Sequence, residues 1–142
     1  MSYSPQTWAN GSGGGTPRNA TRLNYQEAGI KEASDRLDAV ELLAINAKTA
    51  SYTLVLTDVG KVVEVTSASA TNVTVPQNSS VAFPIGSVIE VAQLGAGQVT
   101  LVAGTGTTLR TANGLKLRAQ YSAASLRKNA TNTWLVSGDT TT

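Results

Sequence analysis

The sequence predicts a mainly β protein with three parts: an extended N-terminal arm, a short trimeric coiled-coil helix, and a C-terminal antiparallel β-sandwich or barrel. Three observations predict this fold class. From residue 51 onward, short runs rich in Val and Thr alternate with turn residues. Between residues 17 and 48 the only glycine is Gly29, and no proline follows Pro17. Ahead of these, "GSGGG" at residues 11–15 resembles a flexible linker.

The N-terminal arm, residues 1–16, is polar apart from Tyr3 and Trp8. It has no basic region followed by an apolar run, so no signal peptide is expected. Nowhere does an apolar stretch approach the ~18 residues of a membrane span, and no membrane insertion is predicted. The glycine run then predicts a joint between this arm and the first ordered element.

Residues 17–50 are predicted to form the helix. Thr16 is a suitable N-cap, and Pro17 suits the first helical position because its missing N–H would be unpaired there anyway. Apolar side chains recur at heptad spacing, which predicts a coiled-coil seam. The predicted trimer seam consists of Leu23, Ile30, Ala33, Leu37, Val40, Ala44 and Ala47. The alternative is a single amphipathic helix that packs on its own β domain.

Residues 51–142 are predicted to form the β domain. Alternating patterns predict strands at residues 52–56, 61–65, 71–75, 86–91, 97–102, 107–110, 115–118, 121–128 and 132–138. Strands this short, at about ten-residue spacing, are typical of a sandwich or barrel. Phe83, Trp134 and the many valines are the candidate core.

Composition excludes several classes of chemistry. The chain has no cysteine and no histidine, so disulfides, thiol chemistry, histidine acid–base catalysis and the usual zinc sites are excluded. A net charge of +2 is too small to predict a nucleic-acid partner. "GSGGGTP" lacks both the lysine and the preceding strand of a phosphate loop, so no nucleotide cofactor is expected.

Glu64 and Glu90 are the acids that lie in the middle of predicted strands. A glycosidase would need two such carboxyl groups about 5–10 Å apart in a groove. Alternating strands also place polar residues on their solvent side, and this interpretation is favoured. No catalytic residue and no bound metal are therefore predicted.

After Gly95 the chain carries five basic residues against one acid, Asp139. If they share one face, they form a candidate contact with an anionic surface such as a cell envelope. The favoured interpretation is that they protect strand edges from unwanted pairing. The five are Arg110, Lys116, Arg118, Arg127 and Lys128.

Two long stretches carry a resemblance. "TWANGSGGGTPRNATRLNYQEAGI" resembles the N-terminal segment of many structural proteins of tailed bacteriophages. The strings "VTVP", "GSVIEVAQLGAGQVT" and "WLVSGD" occur in the order found in a β domain at the ends of minor tail proteins, fibres and head fibres of phages that infect actinobacteria. Together the matching stretches cover most of the chain.

The resemblance implies a non-enzymatic virion part that is usually trimeric, made in the host cytoplasm and assembled on the particle. Tyr3, Pro5 and Trp8 would anchor it in another virion protein, and the β domain would point outward as a knob. A helix of ~28 residues spans only about 40 Å, which favours a short fibre decorating the capsid. The alternatives are a tail-associated fibre that contacts the host surface, with cell-surface glycan as a candidate partner, and a carbohydrate-binding module unrelated to virions.

Overall fold

A computed structural model of the protein describes residues 4–5, 20–40 and 43–142. Within the helix it describes the backbone, but not the side chains, of residues 20–22 and 37–40. The chain divides into two compact units, Met1–Leu42 and Leu43–Thr142. The described part of the first unit contains one helix, and the second unit contains all the described strands. A mainly β fold preceded by a helix is therefore confirmed.

Helix α1 spans Ala20–Val40. Its residues are mostly good helix formers, and two i,i+4 ion pairs support its exposed surface. Lys31 Nζ lies 2.9 Å from Asp35 Oδ2, and Arg36 Nη2 lies 3.1 Å from Glu32 Oε1. The predicted caps, Thr16 and Pro17, lie outside the described residues.

The second unit contains eleven short strands and one 3₁₀ turn at Leu56–Asp58. The strands are β1 (Ala44–Lys48), β2 (Tyr52–Thr53), β3 (Lys61–Val65), β4 (Thr71–Val75), β5 (Val88–Gln93), β6 (Val99–Ala103), β7 (Thr108–Arg110), β8 (Lys116–Leu117), β9 (Ala123–Ala130), β10 (Thr133–Gly138) and β11 (Thr140–Thr141).

The strands form two sheets, here called sheet A and sheet B. Sheet A has the order β1-β3-β5-β9-β10-β7, and sheet B has the order β11-β8-β6-β4-β2. From β1 to β8 the chain alternates between them, so strands adjacent in sequence lie in different sheets. Within sheet A, β1, β3 and β5 pair in parallel, as do β2, β4 and β6 within sheet B. This arrangement is a β-solenoid of three coils.

The later strands pair mainly antiparallel. Strand β9 pairs antiparallel with both β5 and β10, and β8 pairs antiparallel with β6 and β11. The turn between β9 and β10 connects an antiparallel pair, as a hairpin does. Strands β1 and β2 are left as outer strands at the other end of their sheets.

The core consists of inward side chains from both sheets. Alternate residues of β3 to β6 are fully buried, as a period of two requires. Phe83 and Trp134 are also buried, and their rings meet edge to face with centroids 5.2 Å apart. Burial of both aromatic residues and of most strand valines agrees with the sequence-based core, whereas Val55, Val59 and Val88 are exposed.

The predicted antiparallel sandwich or barrel is wrong, and the connections explain why. Hairpins would pair consecutive strands, but the connection at residues 66–70, "TSASA", carries the chain from sheet A to sheet B. The connection from β5 to β6, residues 94–98, stacks upon it, and Gly97 N donates to Ser67 O at 2.8 Å. A Cβ at Gly97 would overlap the Ser69 backbone, so glycine is what allows this close stacking.

The predicted helix is also too long at its C-terminal end. It ends at Val40, and Ala44 and Ala47 lie in β1, paired with Lys61 and Glu64 of β3. The backbone of "AINAK" pairs with an available strand edge, and this tertiary contact overrides the helix propensity of its alanines. Ala44 and Ala47 are therefore removed from the predicted seam, and the β unit begins at Leu43 instead of residue 51.

Candidate functional site

The N-terminal anchor is described only at Pro5, since Tyr3, Trp8 and the glycine-rich joint lie outside the described residues. Pro5 lines an open groove of about 460 Å³ along α1. The groove is also lined by Asn24, Glu27, Ala28, Lys31, Glu32 and Asp35. Three of these side chains are carboxylates, so the helix presents a mostly acidic surface beside Pro5.

The seam residues within α1 have different environments. Leu23 is half-buried, Ile30 is 51% exposed, and Ala33 is exposed. The side chains of Leu37 and Val40 lie outside the described part of the chain. Ile30 therefore presents an apolar side chain that its own unit leaves half uncovered.

Glu64 and Glu90 lie on the outer face of sheet A. Strand β3 pairs with β5 so that Val62 faces Glu90 and Glu64 faces Ala92. The two acids are therefore diagonal neighbours, with Cα atoms about 7–8 Å apart. Both are half-buried on an outward sheet face instead of opposing each other across a groove. Their position matches the solvent-side interpretation of the sequence.

The five basic residues do not share one face. Arg110 and Arg127 point outward from sheet A on either side of Leu135, whereas Lys116 points outward from sheet B. Arg118 lies at the end of β8, where its Nε is 2.8 Å from Asp139 Oδ1. The condition of one shared face is therefore not met, because alternation between two sheets separates residues that are close in sequence.

Lys128 departs furthest from its predicted role as a surface contact, because it is 2% exposed. Its ammonium group donates to Asn78 Oδ1 and, at 2.7 Å, to Phe83 O. Burial lowers the pKa of this ammonium group. Among the described residues no carboxylate forms an ion pair with it. Lys128 fixes the long connection between β4 and β5 and is not available to an anionic surface.

A second buried ionisable residue is Asp58, which is 1% exposed. Its Oδ1 accepts from Asn46 Nδ2 at 2.7 Å. Its Oδ2 accepts from Val55 N at 2.8 Å and from the Tyr52 hydroxyl at 3.0 Å. These contacts tie β1, β2 and the 3₁₀ turn together at the N-terminal end of the solenoid. Sequence spacing gave no signal for them, since "TDVG" has the composition of an exposed turn.

Tyr52 has an altered pKa within this cluster. Burial raises the pKa of its phenol most strongly, the hydrogen bond from Asn46 lowers it, and the contact with Asp58 raises it further. The ammonium group of Lys48 lies 4.2 Å from the centre of its ring. The polar contacts of this cluster link β1 to β2 in the first coil of the solenoid, where β2 is only two residues long.

A third polar cluster surrounds the turn at residues 119–122. Ser122 Oγ donates to Asp139 Oδ2 at 2.6 Å and accepts from Ala119 N at 3.1 Å. Asp139 also pairs with Arg118, so one carboxylate joins the two ends of the turn. Tyr121 within the turn is 76% exposed and has a positive φ of 70°. The sequence singles out Arg118 by its charge but gives no signal for Tyr121. A left-handed backbone usually requires glycine, so a tyrosine is not expected at such a position.

Comparison with protein-family models gives no match, and comparison with curated proteins gives none either. Within residues 4–5, 20–40 and 43–142, no three or more His, Cys, Asp or Glu side chains group together to hold a metal ion. In the same ranges no helix is long and apolar enough to cross a membrane. The polar clusters around Lys128, Asp58 and Asp139 hold connections and turns in place.

Proposed function

We propose that this chain is a non-enzymatic structural protein of a bacteriophage virion, a short trimeric fibre that decorates the capsid. Residues 1–16 anchor it to another virion protein, and the β unit points outward. The resemblance of both its N-terminal segment and its β-domain strings to phage structural proteins supports this proposal. It is made in the host cytoplasm and assembled on the particle.

The observation that carries the proposal is the division into two compact units, Met1–Leu42 and Leu43–Thr142. The β unit has its own core, drawn from both of its sheets. The helical unit has large apolar side chains, Tyr25 and Ile30, that are more than half exposed. A fibre needs two such units, because one must attach and assemble while the other is displayed.

The exposure of its seam supports trimer formation through α1. Leu23, Ile30 and Ala33 keep heptad spacing, and Ile30 in particular is half uncovered in the single chain. A Cβ at Gly29 would meet nothing within 4 Å, so the neighbouring surface is open as well. Three such helices packed in parallel would cover these apolar groups.

Ile30→Asp is expected to convert the trimer into a monomer. The trimer would then bury three carboxylates, one from each helix, without partners. We therefore expect the association constant of the trimer to fall by at least about 100-fold. Sedimentation equilibrium of the full chain measures this as a fall toward the monomer mass of 14.6 kDa.

Tyr25→Asp is the matched control. Tyr25 is 82% exposed on the same helix but lies off the predicted seam, so this variant should remain trimeric. A wild-type chain that is already monomeric, or a trimer that survives Ile30→Asp unchanged, would contradict assembly through α1.

A second candidate function is a tail-associated fibre that contacts the host surface, with a glycan as partner. Two observations favour it. Tyr121 is exposed on a turn fixed by hydrogen bonds, and Arg110 and Arg127 face outward from sheet A. Both functions require an outward β unit and differ in where the chain is placed on the particle.

A further inference from the structure

Tyr121 combines two properties that rarely occur together. It is the one non-glycine residue with a positive φ in the ranges 4–5, 20–40 and 43–142. It is also 76% exposed, so its ring contributes little to the core. A bulky side chain in the left-handed region is unfavourable, and glycine would avoid this cost. Packing therefore does not explain why a tyrosine occupies this position.

The surrounding structure holds the strained backbone in place. Tyr121 N donates to Gln93 O at 2.7 Å, and Gln93 N donates to Ser122 O at 2.9 Å. Ser122 N closes the turn on Ala119 O at 3.1 Å. Bonds on both sides of Tyr121 thus fix the backbone from which its side chain projects. Strain maintained by its surroundings is characteristic of functional positions.

Planar polar groups belong to the same turn. Arg118 and Asp139 form an ion pair in which both side chains remain about half exposed or more. Gln120 is exposed, and its Nε2 donates to Leu94 O at 2.9 Å. The turn and its partner Asp139 therefore carry a guanidinium group, a carboxylate and an amide that contacts within the protein orient, together with the exposed aromatic residue Tyr121.

This combination of groups fits a sugar. The C–H face of a pyranose is apolar and stacks on an aromatic ring, while its hydroxyl groups both donate and accept. Guanidinium donors and carboxylate or amide acceptors meet both needs at fixed geometry. A phosphate-rich ligand fits less well, because the Asp139 carboxylate would repel it.

We propose that Tyr121, Gln120, Arg118 and Asp139 form a carbohydrate-binding surface, here called the Tyr121 surface, that takes a neutral pyranose chain. Tyr121 stacks on the sugar ring, and the three polar side chains bind its hydroxyl groups. The biological use of this surface rests on the proposed outward position of the β unit. Binding of a sugar in solution does not depend on that position, so the two proposals fail independently.

The test is an NMR titration of the ¹⁵N-labelled full chain with cellotetraose, β-1,4-galactotetraose and chitotetraose. We expect at least one of them to shift the amide signals of Gln120, Tyr121 and Ser122 with a Kd of about 1 mM, typical of weak single-site contacts. No shift of these signals with any of the three sugars at about ten times that concentration would overturn the proposal.

Substitutions separate stacking from a structural role. Tyr121→Phe should bind within about threefold of the wild type, and Tyr121→Ala should lose at least about tenfold. Tyr121→Gly should lose binding while raising the urea midpoint of unfolding, because glycine relieves the strained backbone. Tyr25→Ala removes another exposed tyrosine and should leave binding unchanged. Equal binding by Tyr121→Ala and wild type would overturn the assignment.

Discussion

Gly97→Ala is expected to lower the free energy of unfolding of the β unit by about 3 kcal/mol or more. The added Cβ would lie inside van der Waals contact with the carbonyl of Ser69. That neighbour is backbone, so it has no side-chain rotamer through which to move away. Separating the two connections would also stretch the bond from Gly97 N to Ser67 O, now 2.8 Å. The substitution therefore acts on the stacking of two coils.

Urea denaturation monitored by Trp134 fluorescence measures this loss as a lower midpoint. Ala96→Ser is the matched control, because residue 96 is exposed in the same connection and has room for one more atom. We expect this control to change the free energy of unfolding by less than about 0.5 kcal/mol. An alanine at position 97 that unfolds at the wild-type midpoint would contradict the close stacking of these coils.

Asp58→Ala should be the second most damaging change, with an expected loss of about 3 kcal/mol. It removes the acceptor of three donors at once: Asn46 Nδ2, Val55 N and the Tyr52 hydroxyl. Because Asp58 is buried, water does not readily replace the carboxylate oxygens. The urea midpoint of unfolding measures this loss. An unchanged slope of the transition would show that the substitution changes stability alone.

Two graded variants make this prediction specific. Asp58→Asn keeps the shape and one acceptor oxygen, and rotation of the Asn46 amide would provide an acceptor for the new NH₂ group, so the loss should be smaller. Tyr52→Phe removes a single donor and should cost about 1 kcal/mol. If Asp58→Ala proved no more harmful than Tyr52→Phe, the carboxylate would not be the centre of the cluster.

The sequence predicted strand positions well because strand residues are read from a local alternation. Lys61–Val65 and Thr71–Val75 were predicted with the bounds that the structure has. Alternation does not specify which strands pair, however. Parallel stacking of coils depends on contacts between connections, such as Gly97 against Ser69, and those contacts are distant in sequence. Most strands from β2 to β10 were therefore predictable, whereas β1, β11 and the solenoid were not.

The candidate sites were less predictable than the fold. Lys128 was named as a candidate surface contact and Asp58 was not singled out, because lysine and aspartate are seldom buried and only the structure places acceptors or donors around each. Ala44 and Ala47 continue the heptad spacing of α1, but their backbone pairs with the edge of β3. In each case a partner far along the chain decided the outcome.

Localisation on intact particles decides whether the chain is a capsid fibre. Gold-labelled antibody against the β unit, residues 43–142, would be applied to particles from a phage lysate that contains the protein and viewed by electron microscopy. A capsid fibre predicts label spread over the head of every particle. Label confined to the tail would favour the host-contacting fibre instead, and particles without label, with the protein free in the lysate, would contradict a place in the virion.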